Sequence, residues 1–552
     1  TATIAKGSES ATKVFALTVV KLAQSDAEAV AADKLALEIA YASGDSASSV
    51  TQDVGLPTSG ANGTTITWSS DAPGVVGEDG AVVRPSYTTG DASVTLTATI
   101  AKGSESATKT FALTVVKLAS LPDDSDDRPA RDYTEDHVLM SINGSAVAQS
   151  LTSYMRYANG VNLLVVHVAN EAQLQAALGK FDKPELHFKL DDLSMFQNIS
   201  LEFSYSMVNW MVEHNVSVQL DTAQGKFHVA MAKLGLTEWT SSNQADASLQ
   251  PIKVALTLQA VTSEIEEQIQ KEAAADSFMI MSEPIEASAA IIRGSEKIAL
   301  TSFKDYAVLT LPLSNEAAAG EPKTAVYWSE GKGFATQPTN LQGEEAELRT
   351  LNGGIFVLIS NTASFKDTEG RWSASDVKDM AERLLVEGRS ASSFEPTRSM
   401  TRAEFATLIV RALALPSASS TSGSFADIPE EAWYANSIAV AAAFGLFKGD
   451  VNGDFAPMRL LTRQEAATII ARAQAIMGIA SAPTNVEAEE QLDHWRDADS
   501  IAAWARQAMA GMIEQGILLG DGNAGIRPEE NVSREEMTAM LRRMLQAAGW
   551  IN

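Results

Sequence analysis

The chain has 552 residues, and its 42 lysines and arginines stand against 70 aspartates and glutamates, a formal net charge of −28. Because a nucleic-acid binder needs a basic excess to displace phosphate counterions, this charge argues against a nucleic-acid partner. Cysteine is absent, which excludes disulfides, thiolate metal sites and a cysteine nucleophile. The longest apolar run, at 161–168, is far shorter than the roughly 20 residues of a membrane helix, so no membrane insertion is expected. At roughly 150 residues per domain, the length predicts three or four domains.

The first 23 residues of the chain recur later in it. Residues 1–23 and 97–119 are identical except that Val14 stands where the second copy has Thr110. We therefore interpret 1–23 as the end of a truncated repeat, and we expect a further region to precede it in the parent protein. Since so short a segment cannot enclose a core, it should be disordered or paired with a neighbouring domain.

Residues 24–119 form one complete repeat. A helical pattern at 26–41 is followed by short alternating runs that predict strands at 64–68, 81–84, 92–100 and 109–116. Pairs of turn residues such as Asn62-Gly63 and Asp79-Gly80 separate these runs. The pattern favours a β-sandwich of roughly 100 residues. In its segments 63–70, 79–80, 84–85 and 94–99 the repeat resembles the atrophied bacterial immunoglobulin-like domains of exported surface proteins, which implies architecture rather than chemistry.

An acidic linker follows at 120–133. Its four closely spaced carboxylates are candidate calcium ligands, because hard cations take oxygen donors. The alternative is a solvated hinge, since the twelve-residue spacing of an EF-hand is missing. The four residues are Asp123, Asp124, Asp126 and Asp127; apart from calcium here, no cofactor is expected.

Residues 134–361 are predicted to be a β-rich spacer, with a division into two subdomains near Ser248 as one option. A helix is expected at 263–275 within this segment. The predicted strands lie at 254–261, 278–281, 289–292, 306–313, 324–328 and 354–360.

Catalytic motifs are missing from the whole sequence. The six histidines lie far apart and include no H-E-x-x-H pair, and no G-x-S-x-G elbow or P-loop is present. A pair of glycosidase carboxylates leaves little local signature, so a polysaccharide-acting enzyme stays open as the alternative function, with its catalytic domain in the middle segment or before residue 1.

One pattern occurs three times in residues 362–552, within modules at about 362–415, 422–480 and 492–552. The first copy carries Phe365, Asp367, Trp372, Gly388, Phe394, Pro396, Thr401, Arg402 and Glu404. The second carries Phe425, Asp427, Trp433, Gly449, Asp450, Phe455, Pro457, Thr462, Arg463 and Glu465. The third carries Trp495, Asp497, Trp504, Gly520, Asp521, Ile526, Pro528, Ser533, Arg534 and Glu536. In each copy the threonine or serine stands three residues before a glutamate, the spacing of a capping box, which predicts a helix start.

An arginine occupies the first helical position of each copy, namely Arg402, Arg463 and Arg534. A cation at a helix N-terminus interacts unfavourably with the helix dipole, so helix stability alone does not explain an arginine at this position. A guanidinium beside unpaired N–H groups can bind a carboxylate or phosphate. The alternative is an ion pair within the helical bundle. On the anion-site interpretation, replacing Arg463 or Arg534 with alanine should weaken ligand binding about tenfold and barely affect folding.

These tetrads, aromatic-x-Asp openings and Gly-Asp loops resemble S-layer homology modules. The resemblance implies an all-α, pseudo-threefold unit whose inter-module grooves bind secondary cell wall polymer, often ending in a pyruvylated sugar. It implies a glycan site made of the three arginines together with Gly449, Asp450, Gly520, Asp521, Trp372, Trp433 and Trp504. The first copy departs from the pattern, with Gly388-Arg389 at the loop and no counterpart of the preceding Gly445 and Gly516.

Together these features predict a multidomain surface protein: an immunoglobulin-like sandwich, a β-rich middle domain and a helical C-terminal unit. Its expected function is non-covalent anchoring to the wall of a Gram-positive bacterium, with an extracellular location and an option of self-assembly into a surface layer.

Overall fold

A computed structural model describes most of the chain, and its residues divide into two compact units, Thr1–Pro129 and Ala130–Asn552. The acidic linker and its four aspartates lie outside the described residues. Those are 1–6, 8–17, 24–42, 45–82, 84–85, 91–116, 138–147, 151–158, 161–168, 170–190, 198–236, 252–293, 296–313, 324–417, 425–450, 452–479 and 483–552.

The first unit begins with an isolated hairpin. Strands β1 (Ala2–Lys6) and β2 (Glu9–Lys13) pair antiparallel and form a sheet of their own. The apolar side chains of Ile4 and Leu17 are exposed to solvent. The truncated repeat thus has no core of its own in its described part, as its length predicts.

The complete repeat is built around a three-stranded antiparallel sheet of β3 (Thr65–Ser70), β4 (Ala92–Lys102) and β5 (Glu105–Val115). Helix α1 (Asp26–Ala36), which starts with a capping box, covers one side of its core. The predicted strand at 81–84 is reduced to a single bridge at Val82 in its described part. In the part of the repeat that the structure describes, the second layer is therefore irregular chain held by single bridges rather than a second regular sheet.

Two sheets make up the middle domain in the residues that the structure describes. The strands before residue 248 are β6 (Val138–Ile142), β7 (Ser145–Ala146), β8 (Leu151–Ala158), β9 (Val161–Val168), β10 (Glu185–Leu190), β11 (Asn198–Ser204), β12 (Ser217–Thr222) and β13 (Gly225–Ala230). Those after it are β14 (Ile252–Ala260), β15 (Met279–Ile280), β16 (Ile285–Arg293), β17 (Glu296–Leu300), β18 (Ser302–Pro312), β19 (Thr324–Ser329), β20 (Gly333–Gln337), β21 (Thr339–Gln342), β22 (Glu345–Asn352) and β23 (Gly354–Ser360).

The described strands of one sheet number eight and follow the order β21-β22-β18-β13-β12-β10-β6-β7. Those of the other number ten: eight follow the order β20-β19-β23-β16-β14-β11-β9-β8, while β15 pairs with β23 and β17 with β16. Among these strands, β10 and β12 pair parallel, as do β9 and β11, and the other pairs are antiparallel.

The two sheets enclose one core, in which Phe188, Phe203, Phe227 and Phe356 are fully buried. Strands from both sides of residue 248 share both sheets, since β11 pairs with β14 and β13 with β18. The division into two subdomains near Ser248 is therefore wrong, because separating them would break ladders in both sheets.

In the described residues of the middle domain, helices α2 (Glu171–Leu178), α3 (Tyr205–Glu213) and α4 (Ser263–Ala275) accompany these sheets. The last of them begins and ends where the sequence predicts. It packs Ile269 against a cluster that contains Trp328, whose indole N–H donates to the carboxylate of Glu272 at 2.8 Å.

The C-terminal region is helical. Its helices are α5 (Ala374–Glu382), α6 (Arg402–Ala412), α7 (Ala435–Ala443), α8 (Arg463–Ile476), α9 (Asn485–Leu492), α10 (Arg506–Glu514) and α11 (Arg534–Ala547). All three predicted capping boxes are formed, at the starts of α6, α8 and α11. No helix in the described parts of the chain is long and apolar enough to cross a bilayer.

The helical region packs directly on the middle domain. The hydroxyl of Tyr306 donates to the carbonyl oxygen of Leu413 at 2.6 Å, and the Tyr306 ring meets the Trp550 ring edge-on with centroids 4.7 Å apart. The guanidinium of Arg383 donates to the carbonyl oxygen of Thr339 at 2.9 Å. Polar and aromatic contacts thus join the two domains into one folded unit.

Candidate functional site

The three arginines at the helix starts lie buried between modules. Each guanidinium donates two hydrogen bonds to backbone carbonyls of the next module along the chain, and the third module's arginine reaches back to the first. Nε of Arg402, Arg463 and Arg534 donates to the carbonyls of Phe455, Ile526 and Phe394, at 2.8, 2.9 and 2.9 Å. Nη2 of the same residues donates to Lys448, Leu519 and Glu387, at 3.1, 3.0 and 2.8 Å.

A cycle of backbone hydrogen bonds repeats this connection at the centre of the region. The N–H of Met400 donates to the carbonyl of Val532, that of Val532 to Leu461, and that of Leu461 back to Met400, at 3.0, 2.9 and 3.0 Å. Each module is thereby tied to both of the others.

These contacts change the expectation that folding barely depends on the arginines. Burial lowers the pKa of the Arg463 guanidinium, and the charge of Glu536 opposes that shift, with Nη1 of Arg463 donating to that carboxylate at 2.8 Å. Removing the side chain would leave two carbonyls without their donor, which costs more than the relief of a dipole conflict returns. The arginines are thus structural bonds between modules, whatever else they contact.

The Gly-Asp loops are shaped by their aspartates. Hydrogen bonds from the backbone N–H groups of Asp454 and Asn452 lower the pKa of Asp450. Asp521 likewise accepts from the backbone of Asn523 and Gly525, at 2.8 and 3.1 Å. Both carboxylates therefore brace the loop that contains them.

The glycines of these loops have a packing role. A Cβ at Gly449 would lie 3.0 Å from the ring of Phe425, and one at Gly520 would lie 2.3 Å from the ring of Trp495. Those rings belong to the aromatic-x-Asp openings, whose aspartates hold the other end of the same loop: Asp427 accepts from the backbone N–H of Phe455 at 2.8 Å. The aromatic-x-Asp opening and the Gly-Asp loop of a module therefore hold each other in place through ring packing and hydrogen bonds.

The first module keeps the backbone shape of the others with different residues. Leu384 adopts φ 58° at the position where Gly445 and Gly516 adopt 71° and 67°, a conformation that costs a residue with a side chain free energy. The Leu384 side chain contacts the apolar cluster of α4 in the middle domain. The departure from the repeat therefore lies where the first module meets the middle domain.

Three tryptophans stand out on the surface of the modules. Trp372, Trp433 and Trp504 are 56%, 64% and 59% exposed, although tryptophan is normally mostly buried. They occupy the same position in each module, so their exposure is a repeated feature.

A groove of about 600 Å³ opens where the three modules meet. Of the predicted site residues it brings together Trp372 of the first module, Arg463 of the second, and Gly520 and Asp521 of the third. Arg402, Arg534, Gly449, Asp450, Trp433 and Trp504 do not line it. We call this cavity the third groove, after the module that supplies its loop.

Two arginines that line the third groove, Arg527 and Arg543, were not predicted from the sequence. Arg543 lies ten positions after Ser533, as Arg411 and Arg472 do after their own threonines, so a closer comparison of the copies could have found it. The other modules have Glu395 and Ala456 at the position of Arg527, so the repeat gave no signal for an arginine there.

Comparison with known families agrees with this organisation. The family described as atrophied bacterial Ig domain matches residues 30–118, and the S-layer homology domain family matches residues 364–406, 424–467 and 496–538.

Similar proteins also match only part of this chain, and the matched part is a minor share of each of them. An amylopullulanase of Thermoanaerobacterium thermosulfurigenes is 31% identical over 187 residues, which is 34% of this chain and 10% of that protein. A surface-layer 125 kDa protein of Lysinibacillus sphaericus is 27% identical over 201 residues, 36% of this chain and 16% of that protein. A cellulosome-anchoring protein of Acetivibrio thermocellus is 26% identical over 165 residues, 29% of this chain and 35% of that protein.

The chain thus spans only between about a tenth and a third of the length of these relatives. The family matches and the surface-layer relative indicate an extracellular location at the cell wall or S-layer. The chain therefore carries one segment that matches the atrophied bacterial Ig domain family, followed by three segments that match the S-layer homology domain family.

Proposed function

We propose that this chain anchors a surface protein non-covalently to the cell wall. Its three modules close into a pseudo-threefold unit that binds secondary cell wall polymer through a pyruvylated sugar. The immunoglobulin-like and middle domains act as spacers that hold the anchor away from the rest of the protein.

The observation that carries this proposal is the pairing of exposed tryptophans with a groove between modules. Trp372 is exposed and lines the third groove beside the loop of another module. An exposed indole presents a broad apolar face with a polar edge, and tryptophan and arginine dominate binding sites where they occur together. Such a groove suits a sugar ring that carries a charged substituent.

Charge supports local rather than long-range recognition. A chain with net charge −28 repels an acidic polymer, but screening limits that repulsion to roughly 8 Å at physiological salt. Affinity must then come from directed contacts, and an arginine fork on a carboxylate is the strongest of these. A ketal-linked pyruvate carries the carboxylate that such a contact needs.

The names of the relatives support anchoring. They include a surface-layer protein and a cellulosome-anchoring protein, and we extend from the former the proposal that this chain can assemble into a surface layer. They also include an amylopullulanase, of which this chain covers only 10%. We propose that the residues of this chain supply the attachment of such proteins rather than their catalysis.

A sedimentation assay on purified cell walls tests the anchoring proposal. We expect the full chain to sediment with the walls, and we expect a variant with alanine at Trp372, Trp433 and Trp504 to lose at least tenfold in affinity. Because these side chains are exposed, the variant should melt at the same temperature as the wild type. Val486→Ala, at another exposed apolar residue on α9, is the matched control and should bind normally.

Equal wall binding by the wild type and the tryptophan variant would refute a role for these residues. A reducing-sugar assay on wall and plant polysaccharides tests the enzymatic alternative, which release of sugar by this chain would support.

A further inference from the structure

The three helical modules meet at three seams, and the same pair of backbone hydrogen bonds crosses each of them. At every seam the first two N–H groups of a capping-box helix donate to carbonyls of another module, at 2.9 and 3.0 Å. The donors are Arg402 and Ala403 between the first and second modules, Arg463 and Gln464 between the second and third, and Arg534 and Glu535 between the third and first. The seams are therefore alike in these backbone bonds, and differences between them come from side chains and from chain connectivity.

The seam between the third and first modules, which we call the closing seam, joins modules that do not follow each other in the chain. Successive modules are connected by a short stretch of chain, which keeps them close when their seam opens. The bond from Arg534 to Phe394 spans 140 positions, whereas the equivalent bonds from Arg402 and Arg463 span 53 and 63. Because the entropic cost of closing a loop grows with its length, the closing seam has the greatest need of additional contacts.

Charged side chains at positions that do not repeat between modules cross the closing seam. Asp379 on α5 of the first module accepts from Nε of Arg542 on α11 of the third module at 2.9 Å. Asp379 also accepts from Nε of Arg383 at 3.0 Å, and Nη2 of Arg383 donates to Oδ1 of Asn552 in the third module at 2.7 Å. The equivalent residues of the other modules are uncharged: Val440 and Gly511 for Asp379, Phe444 and Gln515 for Arg383, and Val410 and Ala471 for Arg542.

Arg383 also connects the closing seam to the middle domain. The residue is only 4% exposed, and its Nη1 donates to the carbonyl of Thr339 on β21 at 2.9 Å. The backbone carbonyl of Arg383 accepts from the hydroxyl of Thr336 at 2.6 Å. A buried guanidinium requires hydrogen-bond acceptors, because an unpaired buried charge is costly. Arg383 finds them in the first module, the third module and the middle domain at once.

Further contacts of the middle domain fall on the same two modules. Nδ2 of Asn340 on β21 donates to the carbonyl of Gly549 in the third module at 3.0 Å. Tyr306 donates to the carbonyl of Leu413 in the first module, and its ring packs edge-on against Trp550 of the third. The middle domain therefore holds both sides of the closing seam.

We propose that the middle domain clamps the closing seam and thereby keeps the ring of three modules closed. This inference goes beyond a spacer role for the middle domain, and it does not depend on what the modules bind. The free energy of a local opening depends on the contacts that must break. With the clamp in place, opening of the closing seam breaks contacts of the middle domain as well as those between the two modules.

The clamp has a consequence for the third groove. The groove lies on the closing seam, since the first module supplies Trp372 to it and the third module supplies Gly520 and Asp521. Opening of the seam would move these residues apart. Wall affinity should then depend on residues outside the modules, a consequence that rests on the proposed anchoring function.

Hydrogen exchange of the full chain, followed by mass spectrometry, tests the clamp. An amide bonded across a seam exchanges when that seam opens, so its rate reports the opening equilibrium. In Asn340→Ala, and in Arg383→Gln, we expect the amides of Arg534 and Glu535 to exchange at least about tenfold faster than in the wild type. The equivalent amides at the other two seams should keep their wild-type rates.

Matched controls separate the clamp from general destabilisation. Gln342→Ala changes an exposed residue of the same strand as Asn340, and Arg472→Gln removes a guanidinium that donates to the carbonyl of Leu446 within the second module at 2.8 Å. Neither control should selectively speed exchange at the closing seam. Should Arg383→Gln fail to fold, Asn340→Ala decides the matter. Equal acceleration at all three seams in Asn340→Ala, or wild-type exchange at the closing seam in every folded variant, would overturn the inference.

Sedimentation with purified cell walls measures the consequence for binding separately. We expect Asn340→Ala to bind walls more weakly than Gln342→Ala, because its closing seam opens more often. Equal wall affinity of these two variants, despite faster exchange at the closing seam, would refute the link between the seam and wall binding. A wild type that does not sediment with walls would refute the anchoring proposal, while the exchange rates would still decide whether the clamp exists.

Discussion

The two kinds of repeat in this chain behave in opposite ways. The hairpin at its start and the closing strands of the complete immunoglobulin-like repeat are almost identical in sequence, yet Ile4 is 74% exposed where Ile100 is 0% exposed. Leu17 is 88% exposed and its counterpart Leu113 only 2%. In the complete repeat β4 also pairs with β3, and Val115 bridges to Val50.

The three S-layer homology modules show the converse. Their sequences have diverged at most positions, yet each buries its first helical arginine on two carbonyls of the next module. The comparison teaches that burial depends on the partners available to a segment, whereas an inter-module bond needs only a few retained residues.

The largest expected effect is on stability, and it compares equivalent leucines in the N-terminal copy and in the complete repeat. Leu113→Ala should lower the free energy of unfolding of the immunoglobulin-like domain by about 2 to 5 kcal/mol, because it removes a fully packed side chain. Leu17→Ala should change it by less than about 0.5 kcal/mol, the usual range for a surface site. Chemical denaturation of each variant gives both numbers, and similar losses in the two would mean that the hairpin is packed in solution.

The second prediction tests the hydrogen bonds from the first helical arginine of one module to the backbone carbonyls of another. Arg534→Ala should destabilise the helical region by about 1 to 3 kcal/mol, because the buried carbonyl of Phe394 and the part-buried carbonyl of Glu387 lose their donor. Lysine at this position should restore only part of the loss, since it lacks the planar fork. Thermal melting provides the measurement.

Arg496→Ala is the control for that experiment, because this arginine is exposed and its pair with Asp521 should contribute less than about 1 kcal/mol. An Arg534→Ala variant that melts with the wild type would show that the bond is dispensable.

The third prediction concerns acid. Burial would raise the pKa of Glu536, but hydrogen bonds from Ser533 and the charge of Arg463 outweigh it, so the pKa lies below its ordinary value. The pKa values of Glu404 and Glu465 are lowered too, because hydrogen bonds from the capping threonine and from a nearby arginine outweigh the effect of burial. A carboxyl whose pKa is lower in the folded chain stabilises the fold fully above its unfolded pKa, about 4.5, and loses that contribution as the pH falls through the folded pKa.

The helical region should therefore melt at lower temperature as the pH drops below about 4.5. Glu536→Gln should flatten part of this dependence, while Glu431→Gln, at an exposed residue outside the capping boxes, should leave it unchanged. A pH profile identical in Glu536→Gln and the wild type would contradict the assignment.

The smallest expected effect on stability concerns Leu384, which the first module has where the other two modules have glycine. Gly445→Ala should cost about 1 kcal/mol, because its φ is positive and no neighbouring atom lies within 4 Å of the added methyl group. Leu384→Gly should change stability less, since relief of the same backbone strain offsets the lost contact with the middle domain. Equal losses in the two variants, measured by melting, would show that Leu384 is held by packing alone.

Part of the fold could be predicted from local pattern. Helix α4 matched its expected bounds, and all three capping boxes start helices, because the side chain that caps a helix lies within three residues of the backbone it bonds. The strands β6–β13 were missed, although Glu185–Leu190 alternates buried and less buried residues. Helix α3 was missed too, since its N-cap Ser204 has no glutamate three residues later to mark a capping box.

The candidate site shows where sequence alone stops. The repeated tetrads determined the register of the three modules and the positions of their arginines. Only the tertiary structure decided what those arginines bind, because the acceptors are backbone carbonyls of another module, as distant along the chain as Phe394 is from Arg534. Every residue carries such a carbonyl, so no side chain marks the one that will be used.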